Sequence, residues 1–248
     1  MKVYQSTAGQ TESAEIVLNK GITALILASS LKPHEFTTEV VSVWVEKAGK
    51  NIDVAKEILV KDFVALGTYA EDIIQSSAQL GTIANIDLTK DGGFISLQET
   101  ETIKIKFRNL KADKDYQLHG VEGFFPSTNL NLYERKSMGS EDVSRDFDTK
   151  GYDLASLQKD SSITEISLTH ENGSVAKFTP FELEVVAKSA DSANVIDGSV
   201  IKTSSTDRIV FAVHQIVNVN VRKEPGQRLD FSLRIDELDF IRYQMPAR

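Results

Sequence analysis

The chain reads as one pattern written twice. Residues Ile103, Lys104, Ile105, Lys106, Phe107 and Arg108 alternate apolar and polar side chains, and after a short interruption come Asp115, Tyr116, Gln117 and Leu118. Near the C-terminus, Val217, Asn218, Val219, Asn220, Val221 and Arg222 alternate in the same way and are followed by Asp230, Phe231, Ser232 and Leu233. Such alternation is the period of a strand with one buried and one solvated face. Upstream, Asn19-Lys20-Gly21 before an apolar run matches Thr149-Lys150-Gly151, and Thr38-Glu39-Val40 matches Thr164-Glu165-Ile166. The separations shrink along the chain, from 130 (150 minus 20) to 126 (164 minus 38) to 114 (217 minus 103). Four matches in one order, with loops shortening in the second copy, point to tandem duplication of an all-β domain.

Length and composition agree with two such units. The 248 residues are 41% hydrophobic and 26% charged, so each half can bury a core of its own. The expected division is 1–126 and 127–248, with the polar stretch Pro126 to Gly151 holding the junction and, within it, Thr128 to Tyr133 as the first strand of the second unit. Net charge is −8, and residues 1–125 carry 13 Lys+Arg against 17 Asp+Glu, so neither half is a basic module and direct nucleic-acid binding is not expected. There is no cysteine, which removes thiolate nucleophiles, cysteine-based metal sites and disulfides. No apolar run approaches about 18 residues, and Met1 to Ser6 lacks the apolar core of a signal peptide, so the chain is expected to be made in the cytoplasm and not to span a membrane.

Thr38 to Glu46 is the densest β segment, with Val41, Val43 and Val45 on one side and Val40, Ser42 and Trp44 on the other; both faces are expected to be buried. Asp53 can cap a helix over Val54 to Leu66, and Tyr69 to Leu80 reads as a second helix. Strands are expected at Thr82 to Leu88, Phe94 to Leu97, Thr102 to Arg108 and Tyr116 to Val121. In the second half, strands at Tyr152 to Leu157 and Ile163 to His170 precede a helix over Pro180 to Lys188, whose start is marked by Thr179, Pro180 and Glu182. Further strands close the unit at Ser199 to Thr203, Arg208 to Val213, Gln215 to Arg222 and Arg228 to Ile235. Short, evenly spaced strands predict a sandwich, here with a helix lodged mid-way in each copy.

Residues able to carry chemistry are scattered. His34, His119, His170 and His214 are far apart in sequence, and the His-x-His pair of a cupin metal site is missing. Glu71-Asp72, Asp113 with Asp115, and Asp236 with Glu237 and Asp239 are acidic clusters without the spacing of a calcium loop, though clustered oxygens leave a calcium ion at a subunit interface as a second reading. There is no Gly-x-Ser-x-Gly elbow and no phosphate-binding Gly-rich loop. No catalytic, cofactor-binding or metal residue is therefore assigned. Trp44 is expected in the core, and the adjacent Phe124 and Phe125 between the two units. The polar sides of the two alternating strands, Lys-Lys-Arg and Asn-Asn-Arg, have diverged, as in a building block that meets non-equivalent neighbours.

The strand-turn-helix units Val40 to Val45, Gly49, Val54 to Leu66 and Ile166 to Thr169, Gly173, Thr179 to Lys188 carry a resemblance. In layout the chain resembles the double jelly-roll major capsid proteins of tailless, icosahedral, lipid-containing bacteriophages, the small corticovirus-type protein and those of Flavobacterium phages in particular. The resemblance implies an all-β fold of two tandem jelly rolls, each with a short helical insertion. It implies a homotrimer that mimics a hexagon and tiles a virion capsid over an internal membrane, with neighbouring capsomers, penton and internal-membrane proteins as partners. No inferred loop is long enough for a tower. The arm Met1 to Glu12 and tail Arg242 to Arg248 would bridge capsomers or touch lipid peripherally, although Lys2, Arg242 and Arg248 supply little attraction at about 1 kcal/mol per basic residue. The rival readings are a two-domain jelly-roll hydrolase or cupin-like enzyme, and a ligand-binding β-sandwich.

Overall fold

In the computed structural model, residues 1–47, 50–69, 74–127, 129–190, 194–197, 200–203 and 207–239 are described. The first half contains β1 (Lys2–Gln5), β2 (Ile16–Leu18), β3 (Ala24–Ser29), β4 (Val40–Lys47), β5 (Lys50–Leu59), α1 (Val60–Gly67), β6 (Ile74–Ser76), β7 (Thr82–Asp87), β8 (Thr102–Arg108) and β9 (Tyr116–Val121). The second contains β10 (Asn129–Met138), β11 (Ser144–Asp148), β12 (Leu154–Gln158), β13 (Ile163–His170), β14 (Val175–Phe178), α2 (Pro180–Ala190), β15 (Asn194–Asp197), β16 (Val200–Thr203), β17 (Arg208–Ala212), β18 (Ile216–Lys223) and β19 (Leu229–Asp239).

Strand order makes the duplication explicit. In the first half β1-β9-β3-β7 faces β2-β8-β4-β5, and in the second β10-β19-β12-β17 faces β11-β18-β13-β14. Replacing each strand by its counterpart converts one arrangement into the other, and α1 and α2 occupy the same interval, between the fifth strand of a unit and the strand that pairs next to the third. Each unit thus has the eight-strand, two-sheet order of a jelly roll. The repeat motifs fall in equivalent places: Lys20-Gly21 leads into β3 and Lys150-Gly151 into β12, while the alternating strands are β8 and β18. Their inward residues are the expected ones, with Ile103, Ile105, Val219 and Val221 all fully buried.

The core is correspondingly double. One cluster gathers residues from Ile16 to Tyr133 together with Leu154, and the other runs from Met138 to Leu233. The halves are joined by shared sheets. β5 lies beside β10 in parallel register at Ala55 and Tyr133, producing one eight-stranded sheet, β17-β12-β19-β10-β5-β4-β8-β2. A second parallel contact, β6 with β15, extends the other sheet of the first unit to seven strands.

Several expected elements differ. The segment Val54 to Leu66 is strand as far as Leu59, and the helix begins only at Val60. The cause is a pair of β-bulges: the partners step from Ile58 to Ala55 between Val41 and Val43 and from Ala55 to Asp53 between Val43 and Trp44, and Glu57 sits at a positive φ of 47°. The two extra residues break the two-residue period, so Val54, Ala55, Ile58 and Leu59 are buried and Lys56 and Glu57 exposed, a helix-like repeat within a strand. Asp53 consequently pairs opposite Trp44 and caps nothing; the cap position is Leu59. Within Tyr69 to Leu80 the described regular element is the short strand β6, and residues 70–73 lie outside the described residues. Phe94 to Leu97 makes one bridge, Phe94 to Pro126, and no strand. In the stretch Pro126 to Gly151 the expected strand is present as β10 but runs on to Met138, β11 follows it, and β14 precedes the second helix. The N-terminal arm is tied down at β1, which pairs with β9.

Candidate functional site

The seam between the two units is where charged side chains are most deeply buried. All eight residues of α1 are buried. One side of the helix contacts β4, β5 and β7 of its own unit, and the other lies against β12, β17 and β19 of the second. Asp62 points from α1 into that second sheet. Its Oδ1 is 2.7 Å from Arg208 Nε, and both side chains are wholly inaccessible. Ser156 Oγ donates to Asp62 Oδ1 and Ser232 Oγ to Oδ2, each at 2.8 Å, and Arg208 Nη2 donates to Oδ2 at 3.3 Å. The carboxylate is thereby enclosed by one cation and two hydroxyls, the satisfaction a buried charge requires. Burial pushes the Asp62 carboxyl up from its ordinary range, while Arg208 and the two serines pull it back.

Neighbouring contacts extend the seam. Lys61 Nζ lies 2.8 Å from Asp207 Oδ2. Arg234 Nη1 donates to the Leu66 carbonyl at 2.9 Å, satisfying an otherwise open acceptor in the last turn of α1, and its Nε donates to Asp153 at 3.0 Å. Phe63 and Tyr133 meet edge to face with ring centroids 4.9 Å apart, and Tyr133 Oη donates to the Asp87 carbonyl at 2.7 Å. Beside them a cavity of about 200 Å³ is lined by Gly67, Tyr69, Asp87, Thr89, Lys90, Asn131, Asp153, His214 and Arg234. With Asp153 held by Arg234, this geometry acts as a joint between the units.

No family model matches the sequence, and no curated protein does. Solved structures match along nearly the whole chain. The major capsid protein P2 from bacteriophage PM2 is 12% identical, with 92% of this chain and 91% of that one covered and a TM-score of 0.52. The STIV MCP is 12% identical, with 100% and 97% covered and a TM-score of 0.58. A chain in the atomic structure of Sulfolobus Turreted Icosahedral Virus is 11% identical, with 98% and 91% covered and a TM-score of 0.53. The fold is a double jelly roll.

Within this double jelly roll the residues singled out by sequence stay apart. His34 lies in the turn Pro33–Glu35, His119 on the outer side of β9, His170 at the end of β13, and His214 on the rim of the seam cavity. Among the described residues no group of three or more His, Asp and Glu side chains is placed to hold a metal ion. Glu71 and Asp72, and the side chains of Asp236, Glu237 and Asp239, lie outside the described residues; Asp113 is exposed beside Lys114.

Two aromatic assignments are corrected. Trp44 is half-buried on the outer face of its sheet, flanked by Asp53 and Lys104, because bulged β5 and polar-faced β8 leave that side open to solvent. Phe124 is 100% exposed and Phe125 is 49% exposed, so neither is packed away between the rolls; the element that lies between them is α1. The most deeply buried pair bridging the rolls among the described residues, Asp62 and Arg208, lies 146 residues apart in sequence. Its one sequence signal is the charged pair Lys61-Asp62 set between the apolar residues Ile58 to Val60 and Phe63 to Leu66.

Proposed function

We propose that the chain is a structural virion protein, a major capsid protein whose homotrimers present six jelly rolls as a pseudo-hexagon and tile an icosahedral shell over an internal membrane. One observation carries this reading. The two rolls have the same strand order and are fused side by side through a continuous sheet, so the chain is a repeated building block with two similar, non-identical outer surfaces. The likeness over more than nine-tenths of the chain to the PM2 and STIV capsid proteins supports it. On this reading the partners are other copies of the chain, neighbouring capsomers, penton and internal-membrane proteins, with peripheral lipid contact and no direct grip on nucleic acid. The chain is made in the host cytoplasm and ends in the virion capsid, does no catalysis and holds no resident cofactor. The enzyme alternatives have no comparable support.

Solution mass is the test. Light scattering at micromolar concentration is expected to give a trimer of about 82 kDa, three times 27.4 kDa, unchanged by a calcium chelator. Electron microscopy of concentrated protein is expected to show hexagonally packed sheets or shells. A monomer would defeat the reading, and a chelator-sensitive trimer would place calcium at the interface.

A further inference from the structure

We propose that the outer side of α2 docks onto the outer face of the β1-β9-β3-β7 sheet of a second copy, repeating between chains the contact that α1 makes within the chain. The inference rests on the shell-subunit reading and supplies what it lacks, the surfaces that close the ring.

Internal symmetry supplies the template. α1 and α2 hold the same place in their rolls, but α1 is buried on both sides and α2 on one. Leu183 and Ala187 face the core of the second roll, while Phe181 is 72%, Val185 51% and Val186 52% exposed. Phe181 and Val185 are one helical turn apart on one face. Aligned from their cap positions, Leu59 and Thr179, they correspond to Lys61, which reaches Asp207 of the second roll, and to the buried Ala65. Val175 on the edge strand β14, 54% exposed, adds to the apolar surface beside α2. A solvent-facing helix side with this composition marks an interaction site.

The receiving face has changed to match. Ala24 and Leu154 each follow their Lys-Gly pair by three residues, which aligns β3 with β12. Where β12 offers Ser156 to the Asp62 carboxylate, β3 offers Ile26. Following the ladders outward, the position of Arg208 next to Gln158 is taken by Ile83 next to Ala28. Ile26 and Ile83 are half-buried, with side chains on the outer face of the sheet. The sheet half of the charged contact is replaced, Arg208 and Ser156 giving way to two isoleucines; on the helix Lys61 gives way to Phe181, while Asp62 corresponds to Glu182, whose carboxylate is turned back to accept from its own cap residue Thr179. The Asp62-binding surface is already covered by α1, which leaves the isoleucine-bearing surface as the equivalent one open to the apolar side of α2. Because the two surfaces are at different places on the molecule, the contact is head to tail, the kind that closes a ring when the rotation permits.

The occupant and the geometry are tested together. Phe181→Asp, on an exposed side chain, is expected to keep the far-ultraviolet circular dichroism and unfolding midpoint of the monomer while shifting the solution mass from about 82 kDa to 27.4 kDa. Because the chain has no cysteine, a Phe181→Cys/Ile83→Cys double variant treated with a short bismaleimide reports proximity directly; covalent trimers on a denaturing gel are expected. Phe181→Cys alone is expected to give no covalent dimer. A Phe181→Asp variant that remains trimeric, or position 181 linking only to another position 181, overturns the docking assignment while leaving the shell reading intact. A monomeric wild-type chain overturns the shell reading itself and the docking with it.

Discussion

Removing Asp62 isolates the energetics of the seam. In Asp62→Ala the Arg208 guanidinium stays wholly buried without its counter-ion, and the hydroxyls of Ser156 and Ser232 lose their acceptor. Breaking a buried pair from one side costs about 3–5 kcal/mol, because the remaining charge is uncompensated. At roughly 2–4 °C per kcal/mol for a chain of this size, the unfolding midpoint should fall by roughly 6–20 °C. The double variant Asp62→Leu/Arg208→Met removes both charges and fills the space with apolar side chains. It should return to within about 1 kcal/mol of the parent or exceed it, since well-packed apolar replacements of buried pairs are often neutral or stabilising. Scanning calorimetry at fixed protein concentration, with the four chains compared as a double-mutant cycle, measures the coupling. An Asp62→Ala loss below about 1 kcal/mol, or a double variant as unstable as the single, would refute the view that an unpaired buried charge governs this seam.

Two further outcomes bear on the fold. Val219 is fully buried in the second core, so Val219→Asp should abolish cooperative unfolding and assembly at a cost of about 4 kcal/mol or more; a variant that assembles normally would mean that β18 faces the other way. Hydrogen bonds from the Thr179 backbone and side chain hold the Glu182 carboxyl below its ordinary 4.5. A depressed carboxyl stabilises the fold above the unfolded-state value, and that contribution is lost as pH falls through the folded-state one. Denaturant midpoints measured from pH 6 down should therefore drop below about pH 4.5, and less in Glu182→Gln than in the parent.

What the sequence displayed depended on how local the cause was. The alternation from Ile103 to Arg108 arises within one strand from burial on one face, and β8 follows it residue for residue. The α2 start was legible because Thr179 and Glu182 form the capping contacts in place. α1 was blurred because its strand runs into it without a capping side chain and a bulge at Glu57 had already disturbed the period. Phe124 and Phe125 were misplaced because adjacent aromatics carry no sign of which surface takes them up. The Asp62 and Arg208 contact depends on how one roll sits against the next: a charge set among apolar residues marks Asp62 as unusual but does not name a partner 146 residues away.

The two helices also explain why a duplicated chain should diverge where it does. Inside one chain the second roll is already held beside the first by β5 and β10, so the seam is formed at the low cost of an intramolecular contact and tolerates a buried ion pair, whose value lies in fixing one alignment of helix on sheet. Between chains the same contact must also offset lost translational and rotational freedom, on the order of 4–15 kcal/mol. A buried ion pair contributes little toward that, whereas apolar area removed from water contributes about 25 cal/mol per Å². Replacing Lys61 by Phe181 and Arg208 by Ile83 moves the copied contact toward the term that can drive association. The occupied seam then also acts as a filter. The outer face of the second roll's sheet is already covered by α1, with Arg208 held by Asp62, so the α2 face is directed to the first roll of another copy and the alternation of rolls around a ring follows.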